Sequence, residues 1–387
     1  MGLWMKFPDG YGVGPMPEIS KIEIFKTNLP FKHSFKHSLK SRNDSESIFV
    51  KVILDNGITG FGESLPRSYV TGNTQDSVFK NLSDSAGKLI GTRLDDNIES
   101  INFIKSLEGL EGEARCAVEI ALLDSLGKIC SKPVSAFLAD VVNTKFVYSM
   151  IIPTVSAFKT GLICLFAKVQ GYEFIKVKVG ADTDVQRVKL CRKILPKADI
   201  RIDANGVWDS AKTALGMIQR LRPFKISCIE QPTPKDDLEA MQEVADFCAE
   251  PVMADESLCT RQDALKLAQS RVCDMFNVRL SKCGGIFRSL DIMDIARNHE
   301  MSCQIGCLVG ESGILSAAGR HIASVAKNIV YFEGSYSRFL LKEDIVEEDL
   351  TPARSVGYTL KGAGLGVTVK EDILRKYSKE SLLIGQK

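Results

Sequence analysis

The hydrophobic positions of this sequence fall into short runs that alternate with longer helical patterns. From about residue 146 onwards, eight β-rich runs are recognisable, with helix-length segments between most of them. They cover residues 146–152, 174–179, 200–203, 226–230, 252–255, 275–280, 303–307 and 329–332. This alternation predicts parallel strands joined by crossover helices, and eight strands favour a closed (β/α)8 TIM barrel of the α/β class over an open sheet.

The first 140 residues have a different pattern, typical of an α+β domain. Residues 22–26 and 47–54 are strand-like, and Asp55-Asn56-Gly57 predicts a hairpin turn after the second of these runs. Apolar residues at three- and four-residue spacing predict a helix over 113–126. Residues 28–45 are polar and basic, which predicts a mobile surface loop of the kind that often serves as a lid.

Beyond the eighth run, the chain passes through a glycine-rich turn into residues 364–369, which we predict to form a strand that returns to the first domain. Three segments follow from this pattern. They are an α+β domain at 1–140, the barrel at 141–345, and a carboxy-terminal segment at 346–387 that goes back to the first domain. The two domains would therefore not be separable by one cut.

Composition and charge narrow the class of protein without identifying it. The chain has 387 residues, of which 44% are hydrophobic and 25% charged, as is typical of globular domains. Fifty basic against 48 acidic residues leave no charge excess that would favour nucleic acid or a membrane surface. The eleven cysteines are scattered without a CxxC pair, and the amino terminus lacks a continuous apolar run. We therefore expect free thiols and a cytoplasmic protein.

Polar residues stand at the ends of five consecutive β-rich runs. Lys178, Asp203, Glu230, Asp255 and Lys282 follow one another at intervals of about 25 residues, close to the length of one βα unit. The carboxyl ends of all strands in a β/α barrel point to the same face. We therefore expect these five side chains to converge there.

The three acids of this set predict a divalent metal site. Crowded carboxylates repel one another unless a cation lies among them, and ligation by oxygen alone suits Mg²⁺, with Mn²⁺ as a substitute. A single acid after a strand is more often a helix cap or a surface charge. Three acids in consecutive units, with a lysine on either side, favour the metal.

The lysines predict acid–base chemistry beside that metal. Lys176-Val177-Lys178 places two ammonium groups on one face of a strand, and Lys282 follows on the far side of the acids. A lysine in water is protonated at neutral pH, but a nearby metal ion and a second ammonium both favour its neutral form. Two such bases on opposite faces of a substrate would remove the proton α to a carboxylate from one side and return it from the other.

Five motifs, in this order along the chain, resemble the muconate-lactonizing subgroup of the enolase superfamily. They are Ile175-Lys176-Val177-Lys178-Val179-Gly180, Asp203-Ala204-Asn205-Gly206, Ile229-Glu230-Gln231-Pro232, Ala254-Asp255-Glu256-Ser257 and Ser281-Lys282-Cys283-Gly284-Gly285. Two amino-terminal stretches are similar to that subgroup as well, namely Gly60-Phe61-Gly62-Glu63-Ser64 and Tyr69-Val70-Thr71-Gly72. The resemblance implies an α+β capping domain over a modified barrel.

The same resemblance implies a role for each strand-end residue. Asp203, Glu230 and Asp255 would be the Mg²⁺ ligands. Lys178 and Lys282 would be the acid–base pair, and Lys176 would tune Lys178. Mandelate-type relatives use a histidine after the seventh strand. Residues 304–312 contain no histidine here, so that type of racemisation is not expected.

The reaction within the subgroup is open at this point. Dipeptide epimerases usually carry Asp-x-Asp after the eighth strand to hold the substrate's ammonium, whereas this chain has Glu333 as its one carboxylate there. We expect an isomerase, namely a racemase or epimerase of an N-acyl amino acid or dipeptide-like substrate. The alternatives are a muconate-type cycloisomerase, a syn-eliminating lyase of the succinylbenzoate-synthase type, and a catalytically silent metal-binding barrel.

Candidates for substrate binding lie in the capping loops and after the last two strands. In relatives the capping loops close over the barrel mouth, which by resemblance places residues 28–45 and 66–72 near the substrate. We expect Arg67 to bind an anionic group at the far end of the substrate, because guanidinium binds carboxylate through two parallel hydrogen bonds. The alternative is a solvated loop charge. Further candidates are Tyr69, Thr71, Glu311 and Glu333. The expected partner is a small carboxylate, and a homo-oligomer is an expectation from the family alone.

Overall fold

The amino-terminal domain is built on a small antiparallel sheet. A computed structural model describes residues 16–36 and 41–385 of the chain. The first strands are β1 (Ile19–Thr27), β2 (Pro30–Lys36), β3 (Ser41–Asp44), β4 (Ser47–Leu54) and β5 (Thr59–Ser64), and the first helices are α1 (Ser68–Thr71), α2 (Gln75–Ser85), α3 (Ile98–Ser106) and α4 (Gly112–Ile129). Strand β4 pairs with both β1 and β5. The predicted turn joins β4 to β5, with Gly57 at a φ of 85°.

Two glycines of β5 determine how closely this sheet packs on α4. A β-carbon on Gly62 would lie 1.9 Å from the carbonyl oxygen of Ala117, and one on Gly60 would lie 2.2 Å from that of Ala121. Helix α4, which was predicted at 113–126, therefore lies directly on the backbone of β5. The contact positions Glu63, the residue after Gly62, against the barrel.

The eight predicted barrel strands are all present. After β6 (Lys145–Val147) they are β7 (Ser149–Ile152), β8 (Phe174–Lys178), β9 (Asp199–Asp203), β10 (Ile226–Glu230), β11 (Val252–Ala254), β12 (Met275–Val278), β13 (Ser302–Ile305) and β14 (Ile329–Phe332). They form one parallel sheet in chain order, and a bridge between Tyr148 and Phe332 brings its two edges together. The prediction of a modified (β/α)8 barrel with an α+β capping domain is confirmed.

Helices cover the outside of the barrel, as the alternating pattern predicts. They are α5 (Ala157–Val169), α6 (Asp184–Ile194), α7 (Ala211–Leu221), α8 (Leu238–Phe247), α9 (Arg261–Gln269), α10 (Leu280–Cys283), α11 (Ile286–Asn298) and α12 (Gly313–Val325). Short 3₁₀ helices lie at Ala86–Leu89, Val134–Phe137 and Arg222–Phe224. None of the described helices is both long and apolar enough to cross a membrane.

The carboxy-terminal segment returns to the capping sheet, but by a later strand than predicted. After α13 (Ser337–Leu340), strand β15 (Val356–Tyr358) pairs with β6 outside the barrel. Helix α14 (Glu371–Tyr377) leads into β16 (Ser378–Gly385), which pairs antiparallel with β1. The strand predicted at 364–369 is wrong, because Gly364 and Val369 make only isolated bridges, to Pro133 and Val346.

The basic segment 28–45 is not a plain surface loop. Strands β2 and β3 pair as an antiparallel hairpin within it, although residues 37–40, with His37 and Lys40, lie outside the described ranges. Phe31 is buried and bridges Leu341, while Lys32 Nζ donates to the Arg338 carbonyl at 2.5 Å. Apolar contacts with the α13 region hold this hairpin, and a count of charged residues does not predict such contacts.

The amino-terminal residues 1–15, on which the cytoplasmic expectation partly rests, are likewise outside the described part of the chain.

Candidate active site

The five strand-end residues lie on neighbouring strands at one end of the barrel. Lys178 ends β8, Asp203 ends β9 and Glu230 ends β10, and the strand register places Lys178 beside Asp203 and Asp203 beside Glu230. Asp255 follows β11 directly, and Lys282 lies in α10, just beyond β12. The three acids therefore stand between the two lysines, as the sequence predicted.

Lys178 is held at the first edge of this group. Its Nζ donates to Asp203 Oδ2 at 3.0 Å and to Asn205 Oδ1 at 2.6 Å. Its side chain is 13% exposed, whereas that of Asp203 is fully buried. A lysine whose side chain is partly exposed is placed to exchange a proton with a bound molecule.

Lys282 is held more tightly at the opposite edge. Its Nζ lies 2.6 Å from the Asp255 carbonyl oxygen, 2.9 Å from Asp255 Oδ1 and 3.0 Å from the Asn277 carbonyl oxygen. Burial alone would lower the pKa of this ammonium, but the neighbouring Asp255 charge raises it above the usual value. The position of Lys282 is therefore fixed by the backbone of β12 and by the residue that follows β11.

The acids are buried and electrostatically linked to one another. Burial, together with the charges of Asp203 and Asp255, raises the pKa of Glu230 to about 8. Burial also opposes ionisation of Asp203 and Asp255. However, Lys178 outweighs it at Asp203, and Arg279 with Lys282 outweighs it at Asp255, so both pKa values lie below their usual range. A cluster of this kind needs positive charge to stay ionised, and the chain supplies it through basic side chains.

Lys176 and Glu333 form a second, deeper network inside the barrel. Lys176 Nζ lies 3.2 Å from Glu230 Oε1 and 2.9 Å from the Glu333 carboxylate, which also accepts from Arg201 Nη2 at 2.5 Å. All four side chains are buried. Burial by itself lowers the pKa of Lys176, but the charges of Glu230, Glu333 and Asp203 outweigh it and raise the pKa above the usual value. Lys176 therefore carries positive charge among Asp203, Glu230 and Glu333.

The donor set fits a divalent cation that prefers oxygen ligands. Three fully buried carboxylates from adjacent strand ends offer hard oxygen donors, and the buried Glu256 Oε2 and Asn277 Oδ1 have no hydrogen-bond partner. Within the described ranges, no group of three or more His, Cys, Asp or Glu side chains is arranged to hold a metal ion as it stands. Each acid instead contacts a basic group, Asp203 contacting Lys178, Glu230 contacting Lys176 and Asp255 contacting Arg279. Chemically the ligands are suitable, and a bound ion would take the place of those contacts.

Two cavities are lined by residues of this group. One, of about 480 Å³, is lined by Lys176, Lys178, Asn205 and Glu333, with an outer wall from α5 and α13. The other, of about 810 Å³, lies between the capping domain and the barrel and is lined by Lys282. Glu256 lines both cavities. The two cavities therefore adjoin at Glu256, with Lys178 in the lining of one and Lys282 in the lining of the other.

The predicted substrate-binding residues divide between these two cavities. Tyr69, Glu311 and Glu333 line the smaller cavity, and Thr71 lines the larger one, where its hydroxyl donates to Glu113 at 2.6 Å. Glu311 accepts from the Leu308 N–H at 2.7 Å, so one of its oxygens holds its own loop. The Glu333 carboxylate is occupied by Lys176 and Arg201.

Arg67 lines neither cavity. It is only 1% exposed, and its guanidinium donates to three carbonyl oxygens, those of Pro66, Ser45 and Val309, at 2.7 to 3.0 Å. It is therefore not a solvated loop charge, and the structure does not bring it to the substrate side of the capping loop. Its hydrogen bonds instead tie the capping segment to the loop after β13.

Sequence reasoning gave no role to several residues that hold this site together. Arg279 pairs with Asp255, Asn205 with Lys178, Asn277 with Glu230 and Arg201 with Glu333. Period-two alternation offered a signal for some of them, because residues 201 and 277 share a strand face with 203 and 279. By contrast, His321 has a structural position. It is buried in α12 between Ser135 and Leu365, and burial lowers its pKa to about 4.

Comparison with known proteins gives two family matches that together cover most of the chain. Residues 19–139 match the mandelate racemase / muconate lactonizing enzyme N-terminal domain, and residues 165–373 match the enolase C-terminal domain-like family. A D-Ala-D/L-Ala epimerase of Cytophaga hutchinsonii is 29% identical over 368 residues, which are 93% of this chain and 98% of that protein.

Two solved structures are similar over almost the whole chain. N-succinyl Arg/Lys racemase from Bacillus cereus has a TM-score of 0.87 at 27% identity, covering 95% of this chain and 100% of that one. A dipeptide epimerase from Cytophaga hutchinsonii, complexed with Mg and D-Ala-L-Val, has a TM-score of 0.86 at 29% identity, also covering 95% and 100%.

Proposed function

This chain belongs to the mandelate racemase / muconate lactonizing enzyme family of the enolase superfamily, and from that premise we propose that it is a racemase or epimerase. The proposed reaction removes the proton α to a substrate carboxylate and returns it to the opposite face. The proposed substrate is an amino acid whose nitrogen is acylated, dipeptides included. The names of the matched epimerase and racemase support this assignment.

The observation that carries the proposal is the placement of Lys178 and Lys282 on either side of the three acids. Lys178 lines one cavity and Lys282 lines a second, and the two cavities share Glu256, the residue after Asp255. One Nζ takes the α-proton from its face of the substrate, and the other Nζ donates a proton from the opposite face. Lys176, two positions before Lys178 on β8, binds Glu230 and Glu333 through its ammonium group.

Asp203, Glu230 and Asp255 are the residues that would hold Mg²⁺, with Mn²⁺ as a substitute. When bound, the ion supplies positive charge to the substrate carboxylate, where negative charge develops as the proton leaves. Arg279 and Lys282 keep Asp255 ionised, and Lys176 with Asn277 orients Glu230 through hydrogen bonds. The Mg complex of the matched dipeptide epimerase supports Mg²⁺ as the ion.

The test is α-proton exchange in D₂O with Mg²⁺, over N-acetyl amino acids, dipeptides and lactones. We expect Mg²⁺-dependent deuterium incorporation with inversion on an N-acylated amino acid. Glu230→Gln should lose both this exchange and the increase in melting temperature that Mg²⁺ causes. Glu239→Gln, at an exposed residue of α8, is the control and should keep both. Conversion of a lactone or loss of a leaving group without inversion would instead identify a cycloisomerase or a syn-eliminating lyase. No exchange on any compound would favour the silent barrel.

A further inference from the structure

The cavity beside Lys178 has a charged floor and an uncharged outer wall. The charged residues that line it are Lys176, Lys178, Glu256, Arg279, Glu311 and Glu333. Five of these six lie on the barrel strands or directly after them, and Glu311 lies on the loop after β13. The outer lining comes from α5, α13 and the end of β7, and its described members include Met150, Ile151, Leu162, Ile163, Phe166 and Phe339. A molecule whose carboxylate lies near the acids would therefore point its other end into an apolar chamber.

The rim of this chamber is apolar at positions that face water. Leu162 and Phe166 lie four residues apart on α5, so they share a helix face, and they are 51% and 42% exposed. Phe339 of α13 is 50% exposed and meets Phe166 edge to face, with ring centroids 6.2 Å apart. Exposed apolar side chains clustered at the mouth of a cavity are typical of a binding surface.

Among the described residues, those of β7, α5 and α13 that line this wall carry no charge. Glu333, the acid that the sequence placed nearest to a substrate ammonium, is occupied by Lys176 and Arg201. Arg67, the expected partner of a distal anion, donates to three backbone carbonyls and does not line the cavity. Moving an ammonium or carboxylate from water into such a wall is unfavourable unless it is paired there.

We infer that the group beyond the substrate's amide nitrogen is uncharged and apolar, and that Leu162, Phe166 and Phe339 bind it. This inference rests on the function proposed above and specifies its substrate class. The amide carbonyl and the α-carboxylate stay at the floor, and the distal side chain lies between α5 and α13. Both a free α-ammonium on the distal residue and a distal carboxylate would be disfavoured.

The first experiment compares three compounds that share an L-alanine at the reacting end. They are N-(3-phenylpropanoyl)-L-alanine, L-Phe-L-Ala, which differs by a single ammonium, and N-succinyl-L-alanine, which ends in a carboxylate. We expect kcat/KM for racemisation to be at least tenfold higher for the first compound than for either of the others. A rate on the dipeptide or the succinyl compound that equals or exceeds it would overturn the inference.

The second experiment changes the wall itself. Phe166→Arg should lower kcat/KM on the phenylpropanoyl compound about tenfold or more and raise the relative rate on the succinyl compound. Val169→Arg is the matched control, because Val169 lies on the same helix, is 80% exposed and does not line the cavity. Equal effects of the two substitutions would also overturn the inference. Since both sites are exposed, each variant should fold.

Exchange on N-acetyl-L-alanine separates this inference from the proposed function. That compound has almost no distal group, so its Mg²⁺-dependent exchange tests only the chemistry at the lysines. Exchange there, with equal rates on the three larger compounds, would leave the proposed function standing and reject the apolar chamber as the specificity site. Failure of exchange on every N-acyl compound would reject both.

Discussion

At the scale of single residues, the site depends on basic groups that hold acids in place. Lys176, Lys178, Lys282 and Arg279 each contact at least one of the three strand-end acids. The roles of the individual lysines stay predictions, but their positions make those roles separable. Lys178 is partly open to one cavity, whereas Lys282 is held by three oxygens at the other.

Substituting each lysine tests the two-base arrangement. Lys178→Ala and Lys282→Ala should each lower the rate of inversion by about 10²–10⁴-fold, because each removes one positioned acid–base group. Each variant should still exchange the α-proton of one enantiomer in D₂O, and the two should retain opposite enantiomers. Lys189→Ala, an exposed lysine on α6, is the control and should behave like the wild type. If both active-site variants lost exchange of both enantiomers equally, one-base chemistry would explain the data better.

Arg67 illustrates how burial changes the expected effect of a substitution. Arg67→Ala removes the three hydrogen bonds of a buried guanidinium and leaves the Ser45 and Val309 carbonyl oxygens without this donor. We therefore expect the free energy of unfolding, measured by urea denaturation, to fall by about 2–4 kcal/mol. Arg93→Ala, at a side chain 66% exposed, should change it by less than about 0.5 kcal/mol. A stable Arg67→Ala protein that selectively lost activity on acidic substrates would return Arg67 to the substrate site.

At the scale of elements, close packing of β5 on α4 holds the capping domain together. The Gly60-Phe61-Gly62 stretch was recognised as a motif, yet its physical reason is visible only in the contact. Main-chain atoms of the helix occupy the space that two side chains would need. The hairpin of β2 and β3 is the opposite case, since its basic composition suggested a solvated loop whereas Phe31 is buried.

A matched pair of glycine substitutions tests that packing. Gly62→Ala would place a β-carbon 1.9 Å from a helix carbonyl oxygen, so the strand or α4 must shift, and we expect a loss of about 2–4 kcal/mol in the free energy of unfolding. Gly216→Ala, in α7, meets no atom within 4 Å and should stabilise the protein by about 0.5–1 kcal/mol. Thermal denaturation of both variants distinguishes the cases. Equal melting temperatures would show that α4 can move away at little cost.

At the scale of the whole molecule, the capping domain is joined to the barrel through buried polar contacts. Glu63, at the end of β5, accepts from the backbone N–H groups of Ser312 and Leu315 and from the Ser312 hydroxyl at 2.6 Å. The Leu65 N–H donates to Ser281 Oγ at 2.8 Å. These contacts join the amino terminus of α12 and helix α10 to the end of β5 and the residue that follows it.

The Glu63 contact predicts a pH dependence of stability. Burial, only partly offset by the hydrogen bonds from Ser312, raises the pKa of Glu63 from 4.5 to about 8. Between pH 4.5 and about 8, Glu63 therefore binds a proton in the folded state more strongly than in the unfolded state. Protonated Glu63 stabilises the folded state at low pH, and this contribution is lost as the pH rises through about 8. Glu63→Gln should therefore flatten the decline in the free energy of unfolding between pH 5 and 8, measured by urea titration at each pH. Glu239→Gln, an exposed control, should keep the wild-type slope, and an identical slope in Glu63→Gln would contradict the assignment.

The sequence by itself determined the order of strands and helices, the barrel and the chemical identity of the residues at its mouth. Local periodicity marks strands, and a barrel sends every strand end to one face, so Lys178, Asp203, Glu230, Asp255 and Lys282 were identifiable without coordinates. The family and the isomerase class, predicted from the motifs, are confirmed by the comparisons.

Only the tertiary structure decided which charged side chains are already paired with other residues. Arg67 and Glu333 looked available in the sequence, but contacts with residues up to 242 positions away occupy them, and local patterns do not encode such long-range partners. The apolar wall that α5 forms could not be predicted for the same reason. The periodicity of a helix indicates which of its residues share a face, but not which residues lie opposite that face.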